Sequence, residues 1–366
     1  MSGCLLYVGT YSERVRHASG EVARGGARGI HTLRLDHATG TLSEVGAVTS
    51  RNPSYLAFDS RRRFLYAVNE LKEHDGTFGG MASAFAIDAA SGGLVALNSV
   101  ASHGTDPCHL AVDPSGRNLL VGNYSSGHVT VLPIAADGSL CAASQVIAHE
   151  GSSVDPLRQT GPHVHYVAFD ASGTRVFVAD LGLDRIVAYR LDAARGLLAS
   201  ADPPFVATAP GVGPRQIVLH PGGRHAYVLN ELAASITTCG YDGMTGRLVP
   251  GRTVSMLPVG FTGHRSGAEL RIAPSGRFLY ASNRGHDSIA IFAIAGDDGN
   301  LVPLGHVATL GTTPRHFDLS PDGGFLVVAN QDSGSVVPFR VDPATGALQP
   351  AGQGVALGAP VCVRFL

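Results

Sequence analysis

The sequence has no tryptophan, and charged residues make up only 15% of its 366 positions. The first absence removes the Gly-His/Trp-Asp pairing that marks WD40 repeats. The second argues against exposed, charge-laced helices. Acidic and basic residues nearly cancel to a formal net charge of −2, so no whole-molecule field attracts nucleic acid or an anionic membrane, and neither is expected as a partner. No stretch approaches the ~20 apolar residues of a membrane-spanning helix. The opening MSGCLLYVGT has no basic region and only a short apolar run before Gly9, which does not read as a secretory signal. The five cysteines (Cys4, Cys108, Cys141, Cys239, Cys362) are odd in number, scattered, and lack CxxC or Cys/His metal spacing. A reducing compartment suits them, and the cytoplasm is the expected location.

What is abundant is glycine, at 47 residues, together with 21 prolines and a repeated frame. PRQIVLHPGGRHAYVLNE (214–231) reads as two short strands around a tight turn. The same frame closes at Asn69, Asn123, Asp180, Asn230, Asn283 and Asn330, with a half-copy ending at Thr10. A second signal alternates with it, an Asp or its neighbour followed by small residues, Gly and Leu. Its seven copies are DHATGTL (36–42), DAASGGL (88–94), ADGSL (136–140), DAARGLL (192–198), DGMTGRL (242–248), DDGNL (297–301) and DPATGAL (342–348). Asp starts each turn through its side chain and Gly takes the positive φ, so each copy is a hairpin joining a third strand to a fourth.

Seven four-stranded repeats of about 51 residues predict an all-β, seven-bladed β-propeller filling residues 1–366 as one domain. The chain opens in mid-repeat with a second-strand sequence, LLYVGT (5–10), and ends with a first-strand sequence, APVCVRF (359–365). The tail is therefore expected to supply the inner strand of the first blade, leaving no open edge at the seam. Segments 11–28, 71–80, 143–160 and 252–266 are candidate mouth loops, and the Arg/Gly/Ser-rich 12–29 reads as flexible by composition.

Repeats let functional positions be read as rings. Fifteen residues before each closing residue stand Ser54, Cys108, His165, Arg215, Ala268 and Arg315; one residue after it stand Glu70, Tyr124, Leu181, Glu231, Arg284 and Gln331. Small or apolar occupants suit a structural position, whereas an imidazole, three arginines and two carboxylates do not. Both rings should converge at one mouth of the channel. The expected cluster is His165, Arg215, Glu231 and Arg284, with Arg315, His316, Glu70, His109 and His163 nearby as substrate contacts.

The segments GPHVHYVAFD (161–170), GPRQIVLHP (213–221), NEL (230–232), LYASNRG (279–285) and TPRHFDLSPDG (313–323) resemble the seven-bladed lactonase family. That family contains bacterial propeller-type 6-phosphogluconolactonases and fungal 3-carboxy-cis,cis-muconate lactonizing enzymes. The resemblance covers essentially the whole chain. It implies that His165, Arg215, Glu231 and Arg284 occupy the family's active-site positions. It also implies that no metal or organic cofactor is required, and that the substrate is a small anionic or polyhydroxylated lactone of the pentose phosphate pathway.

Each residue also has a plainer explanation. A histidine at a strand start can bond a backbone group, and Arg215 with Glu231 can be a structural ion pair. A lone buried pair is costly to desolvate, so surplus positive charge favours an anionic ligand. Asn closes nearly every repeat, as a turn-former would, and neighbouring arginines repel a cation, so no metal is expected in the channel. The reading is a lactone hydrolase. His165 is the base by its near-neutral ordinary pKa, with the arginines and Glu231 pulling it in opposite directions and its titration expected near ~6 to 7. Glu231 stands as the alternative base. A muconate-type lactonizing cycloisomerase using the same cluster and a non-catalytic interaction platform are the competing functions. No feature of the sequence selects an oligomeric state.

Overall fold

A computed structural model describes residues 3–16, 22–23 and 25–366. Its regular elements are all strands, arranged as seven four-stranded antiparallel blades. Within a blade the strands run from axis to rim in chain order; in the fifth they are Pro214–Leu219, His225–Asn230, Ser235–Asp242 and Arg247–Ser255. The inner strands of the other blades are Pro53–Phe58, Pro107–Val112, Val164–Phe169, Ser266–Ile272, Pro314–Leu319 and Pro360–Phe365. The last of these pairs with Gly3–Thr10, so the chain's end completes the first blade as its first-strand sequence implied. In the seventh blade two short strands, Leu348–Pro350 and Val355–Ala356, share the outer position on Ser335–Val341.

Alternation explains how the blades stack. Apolar side chains leave both faces of each blade and interlock with the next, as Val129, Val131, Val164, Val167, Val176 and Val178 do between the third and fourth. Tyrosine adds a polar bolt. Tyr7, Tyr66, Tyr227 and Tyr280, each three residues before a closing position, are fully buried and donate their hydroxyls to Gly92, Gly138, Gly299 and Gly346 at 2.7–3.0 Å. Each acceptor is the hairpin glycine of the next blade, so a buried hydroxyl is satisfied and two blades are tied by one bond. At Gly346 the turn has φ +73°, and a Cβ there would come within 2.6 Å of the Phe278 ring. Both facts require glycine.

The closing asparagines act at the blade tops. Asn230 donates to Ser235 and Thr237 on the next strand of its own blade, while Asn283 donates to Met256 O and Asn330 to Thr309 O, pinning the incoming loop to the blade.

The mouth loops are shorter than their sequence bounds. Segment 143–160 contains the fourth strand Gln145–Ala148, and 252–266 begins inside Arg247–Ser255, because edge strands of polar composition carry little period-2 signal. Segment 71–80 holds the hairpin Glu73–His74/Thr77–Phe78, and 11–28 holds Val15–Arg16/Val22–Ala23. Residues 17–21 and 24, on which the flexible-loop reading partly rests, lie outside the described residues. Among the described residues no helix is long and apolar enough to cross a membrane.

Candidate active site

Neighbouring residues on a strand point to opposite faces, yet here two successive residues of each inner strand face the axis. The cause is a repeated β-bulge. Pairing skips Ser54, Cys108, His165, Arg215 and Arg315 between their neighbours, and an irregularity in the sixth and first blades does the same near Ala268 and Val361. A bulged residue is left out of the ladder and its side chain is re-aimed. All seven line one cavity on the channel axis. Directly below them, Tyr55, His109, Tyr166, Gln216, Glu269 and His316 form its floor.

Glu231 is the electrostatic centre of the upper tier. Its Oε1 accepts Arg158 Nη2 at 2.8 Å, and its Oε2 accepts Arg215 Nη1 at 2.6 Å and lies 3.1 Å from Arg284 Nη2. Burial opposes its ionisation, but Arg284, Arg215 and Arg158 together hold the carboxyl well below the usual range. With three guanidiniums on its two oxygens, this carboxylate is held ionised and makes a weak base. Arg215 is fixed further by its Nε–H to Ala268 O at 2.6 Å, and Arg284 by Ser266 Oγ at 2.6 Å and Gly267 O at 3.0 Å.

His165 stands against this cluster. Its Nε2 meets Arg215 Nη1 and lies 3.8 Å from Glu231 Oε2, while its Nδ1 lies 3.7 Å from Cys108 Sγ. A guanidinium can only donate, so Nε2 is the acceptor and the neutral ring carries its proton on Nδ1. Burial and Arg215 push the imidazole well below its ordinary pKa, against the smaller pull of Glu231. The balance anticipated from the opposing charges is therefore tipped by desolvation. Burial likewise pushes the Cys108 thiol up, so beside His165 it stays a thiol.

Across the cavity Glu70 accepts Tyr11 Oη at 3.0 Å and lies 4.0 Å from Arg315 Nη2, whose guanidinium sits 5.8 Å from the Tyr11 ring centroid. His163 precedes the strand rather than sharing a face with His165. Its ring stacks on Tyr124 at 4.4 Å and its Nδ1 lies 3.0 Å from Tyr124 O, which leaves it at the rim rather than lining the cavity.

His109 and His316 do line the cavity, but both have a structural task. His109 Nδ1 accepts Val167 N–H at 3.1 Å and His316 Nδ1 accepts Val363 N–H at 3.2 Å. Gln216, at the equivalent position, exchanges two bonds with the backbone of Leu270. These three side chains bridge neighbouring inner strands, which share no backbone ladder. Burial keeps both imidazoles well below their ordinary pKa, and both are neutral.

Five further groups were not singled out from the sequence. Arg158 reaches Glu231 from the 143–160 segment, which was read as a mouth loop. Tyr124, in the ring after the closing residues, receives Arg158 Nη2 at 3.1 Å. Tyr11 supports Glu70. Glu269 accepts Gln216 Nε2 at 2.9 Å, lies 3.1 Å from Arg271 Nη2, and faces His316 Nε2 at 3.6 Å. Glu269 and Arg271 were hidden by the bulge, because a period-2 reading assigns the floor residues to the opposite face. Among the described residues, no group of three or more His, Cys, Asp or Glu is placed to hold a metal ion.

The sequence matches the family described as lactonase, 7-bladed beta-propeller, over residues 5–365. It is 37% identical to the 6-phosphogluconolactonase of Bacillus subtilis over 367 aligned positions, covering 100% of this chain and 99% of that protein. Identity to the 6-phosphogluconolactonase of Formosa agariphila is 34%, covering 79% of this chain and 81% of that one. The solved structure of a periplasmic gluconolactonase from Pseudomonas aeruginosa superposes with a TM-score of 0.92 at 36% identity, covering 100% of this chain and 99% of that one. With the match running through every blade and through the bulged strands that build the cavity, the chain belongs to the seven-bladed β-propeller lactonase family.

Proposed function

We propose that the chain hydrolyses a phosphorylated sugar lactone, 6-phosphoglucono-1,5-lactone, at the cluster of His165, Arg215, Glu231 and Arg284. The observation that carries this reading is charge. Four guanidiniums (Arg158, Arg215, Arg284, Arg315) surround the upper tier against two carboxylates, Glu231 and Glu70. Burial pushes the Arg284 guanidinium down to about 10, with Arg215, Arg315 and Arg158 acting the same way, even though Glu231 lies against it. Among the described residues the Nε–H groups of Arg158 and Arg284 are buried without a hydrogen-bond partner. A dianionic phosphate supplies both the missing charge and the missing acceptors. The names of the Bacillus and Formosa relatives support the same substrate, and five free thiols support a cytoplasmic location.

The chemistry follows from the tautomer. The carbonyl oxygen of the lactone takes the Nη1–H of Arg215, which releases Nε2 of His165. The freed Nε2 removes a proton from water as its oxygen attacks C1, and Arg215 holds the resulting oxyanion. Collapse breaks the bond from C1 to the ring oxygen, and the imidazolium returns its proton to that oxygen. Glu231 keeps the arginines in register, while Arg158 and Arg284 grip the phosphate.

A panel of lactones followed by acid release, corrected for spontaneous hydrolysis, tests the assignment. The phosphorylated lactone should exceed glucono-1,5-lactone in kcat/KM, and equal values would refute the anion grip. Arg284→Ala should lower kcat/KM for the phosphorylated substrate at least ~10-fold, the loss of a charge-assisted bond of roughly 1.5–3 kcal/mol. Its Tm should fall less than that of Arg215→Ala: the change leaves Ser266 Oγ and Gly267 O without their donor but removes an under-neutralised buried cation. Arg215→Ala should lose activity and Tm together, since it leaves Ala268 O without its donor and takes the closer of two guanidiniums from Oε2 of Glu231. A lower Tm in Arg284→Ala than in Arg215→Ala would contradict the charge ledger.

A further inference from the structure

Five of the other blades close their second strand with Asn, but the fourth closes with Asp180, which is wholly buried. Its carboxylate does what no carboxamide in the equivalent positions does. Oδ2 accepts His149 Nδ1–H at 2.6 Å, and the other ring nitrogen of His149 lies 2.9 Å from Tyr189 Oη. Oδ1 accepts the backbone N–H of His163 at 2.8 Å, and those of Gly182 and Leu183 at 3.1 and 3.2 Å. His149 and His163 are the first and last residues of the mouth loop 149–163, and one carboxylate fastens both ends.

That loop carries Arg158. Its backbone is set by Asp155, whose Oδ1 accepts Leu157 N–H and Arg158 N–H at 2.9 and 3.0 Å, and by the buried Gln159, which donates to Leu181 O at 2.8 Å. Ser153 is tied to Asp184 at 2.6 Å. Asp155 orders the tip, Gln159 and Ser153 tie its middle to Leu181 and Asp184, and Asp180 fixes the two ends from which it springs. The side chain of Arg158 then spans to Tyr124 and Glu231. Meanwhile His163, held by Asp180 through its backbone, stacks on the same Tyr124.

We infer that Asp180 and His149 form a latch that positions the loop 149–163, and through it Arg158, for the anionic group of the substrate. Asp180 is a positioning residue: it touches no substrate and acts through the loop. The inference rests on the assignment of Arg158 as part of the phosphate grip. It accounts for Asp in place of Asn in this blade, because a carboxylate accepts on both oxygens and gives charge-assisted bonds to the imidazole on one side and the backbone amides on the other. An Asn at this position would offer His149 an uncharged N–H₂ group, which the imidazole meets only by exchanging its tautomer.

The test uses Asp180→Asn, the residue found at the equivalent position of five other blades, with two substrates. KM for 6-phosphoglucono-1,5-lactone should rise roughly 10-fold, within the 10²-fold that a misplaced binding group can cost. Turnover of glucono-1,5-lactone should stay at the wild-type value, which a general structural defect would not permit, while the Tm falls by a few degrees as buried bonds to the carboxylate lose their charge. In an Arg158→Ala background the same change should cost nothing further, since both act on one contact. His149→Gln, which leaves the carboxylate on the amide of His163, should shift the same KM if Asp180→Asn fails to fold. Equal losses on both lactones, or full additivity with Arg158→Ala, would overturn the latch. An impaired Arg158→Ala with an unimpaired Asp180→Asn would overturn the latch alone. A wild-type KM in Arg158→Ala would overturn the phosphate grip and the latch with it.

Discussion

Replacing His165 with Asn should lower kcat/KM by roughly 10²- to 10⁴-fold, the usual contribution of a positioned general base. The Tm should move little, because Asn can still accept from Arg215. The pH profile is the sharper readout. Burial and Arg215 hold the imidazole below its ordinary pKa of about 6.5, and the working form is the neutral ring. Wild-type kcat/KM should therefore be flat through neutral pH and fall only on the acid side, as pH drops through the depressed value and the ring becomes protonated. His165→Asn should remove that limb. His163→Asn should keep it, because that ring is stacked on Tyr124 at the rim. A limb centred above 6.5, or one that survives in His165→Asn, would assign the base elsewhere.

The architecture was legible because repetition is a property of sequence. Seven hairpin signals and seven closing residues count the blades without any knowledge of packing, and a first-strand tail beside a second-strand start predicts the seam that Pro360–Phe365 and Gly3–Thr10 form. The ring of bulged residues was legible for the same reason, since fixed spacing brings Cys108, His165, Arg215 and Arg315 together whatever the local geometry. Three-dimensional consequences of the bulge were not. A strand period of two sends Glu269 and Gln216 away from the axis, whereas the extra residue brings both into the cavity floor. Spacing also could not separate the roles of equivalent imidazoles. His165 sits in the bulge and faces a guanidinium, whereas His109 and His316, one residue further along, spend a ring nitrogen on the next blade's backbone. Arg158 escaped because a loop outside the repeat has no register to read, and its position is set by side-chain contacts of Ser153, Asp155, Gln159 and Asp180 that no spacing announces.

Glu231→Gln discriminates the two carboxylate roles that the sequence alone left open. If Glu231 were the base, the amide would abolish turnover, leave stability nearly intact and erase the acid limb. The geometry predicts otherwise on all three counts. Neutralising the one group that Arg158, Arg215 and Arg284 share leaves three guanidiniums without their common counter-charge, and breaking a buried ion pair from one side typically costs about 3–5 kcal/mol. A Gln amide also turns an N–H₂ group toward at least one guanidinium, donor against donor. The Tm should therefore fall by several degrees. Activity should drop by roughly 10²-fold, because an arginine that loses its anchor no longer meets the oxyanion or the phosphate in register. The residual activity should keep its acid limb and show it at lower pH than wild type, since Glu231 is the charge that raises the His165 pKa and its removal leaves burial and Arg215 acting alone. Added inorganic phosphate should recover part of the lost Tm by supplying the missing anion, and should do so more strongly than in wild type. An inactive Glu231→Gln with an unchanged Tm would restore this carboxylate as the base and reduce His165 to a partner of Arg215.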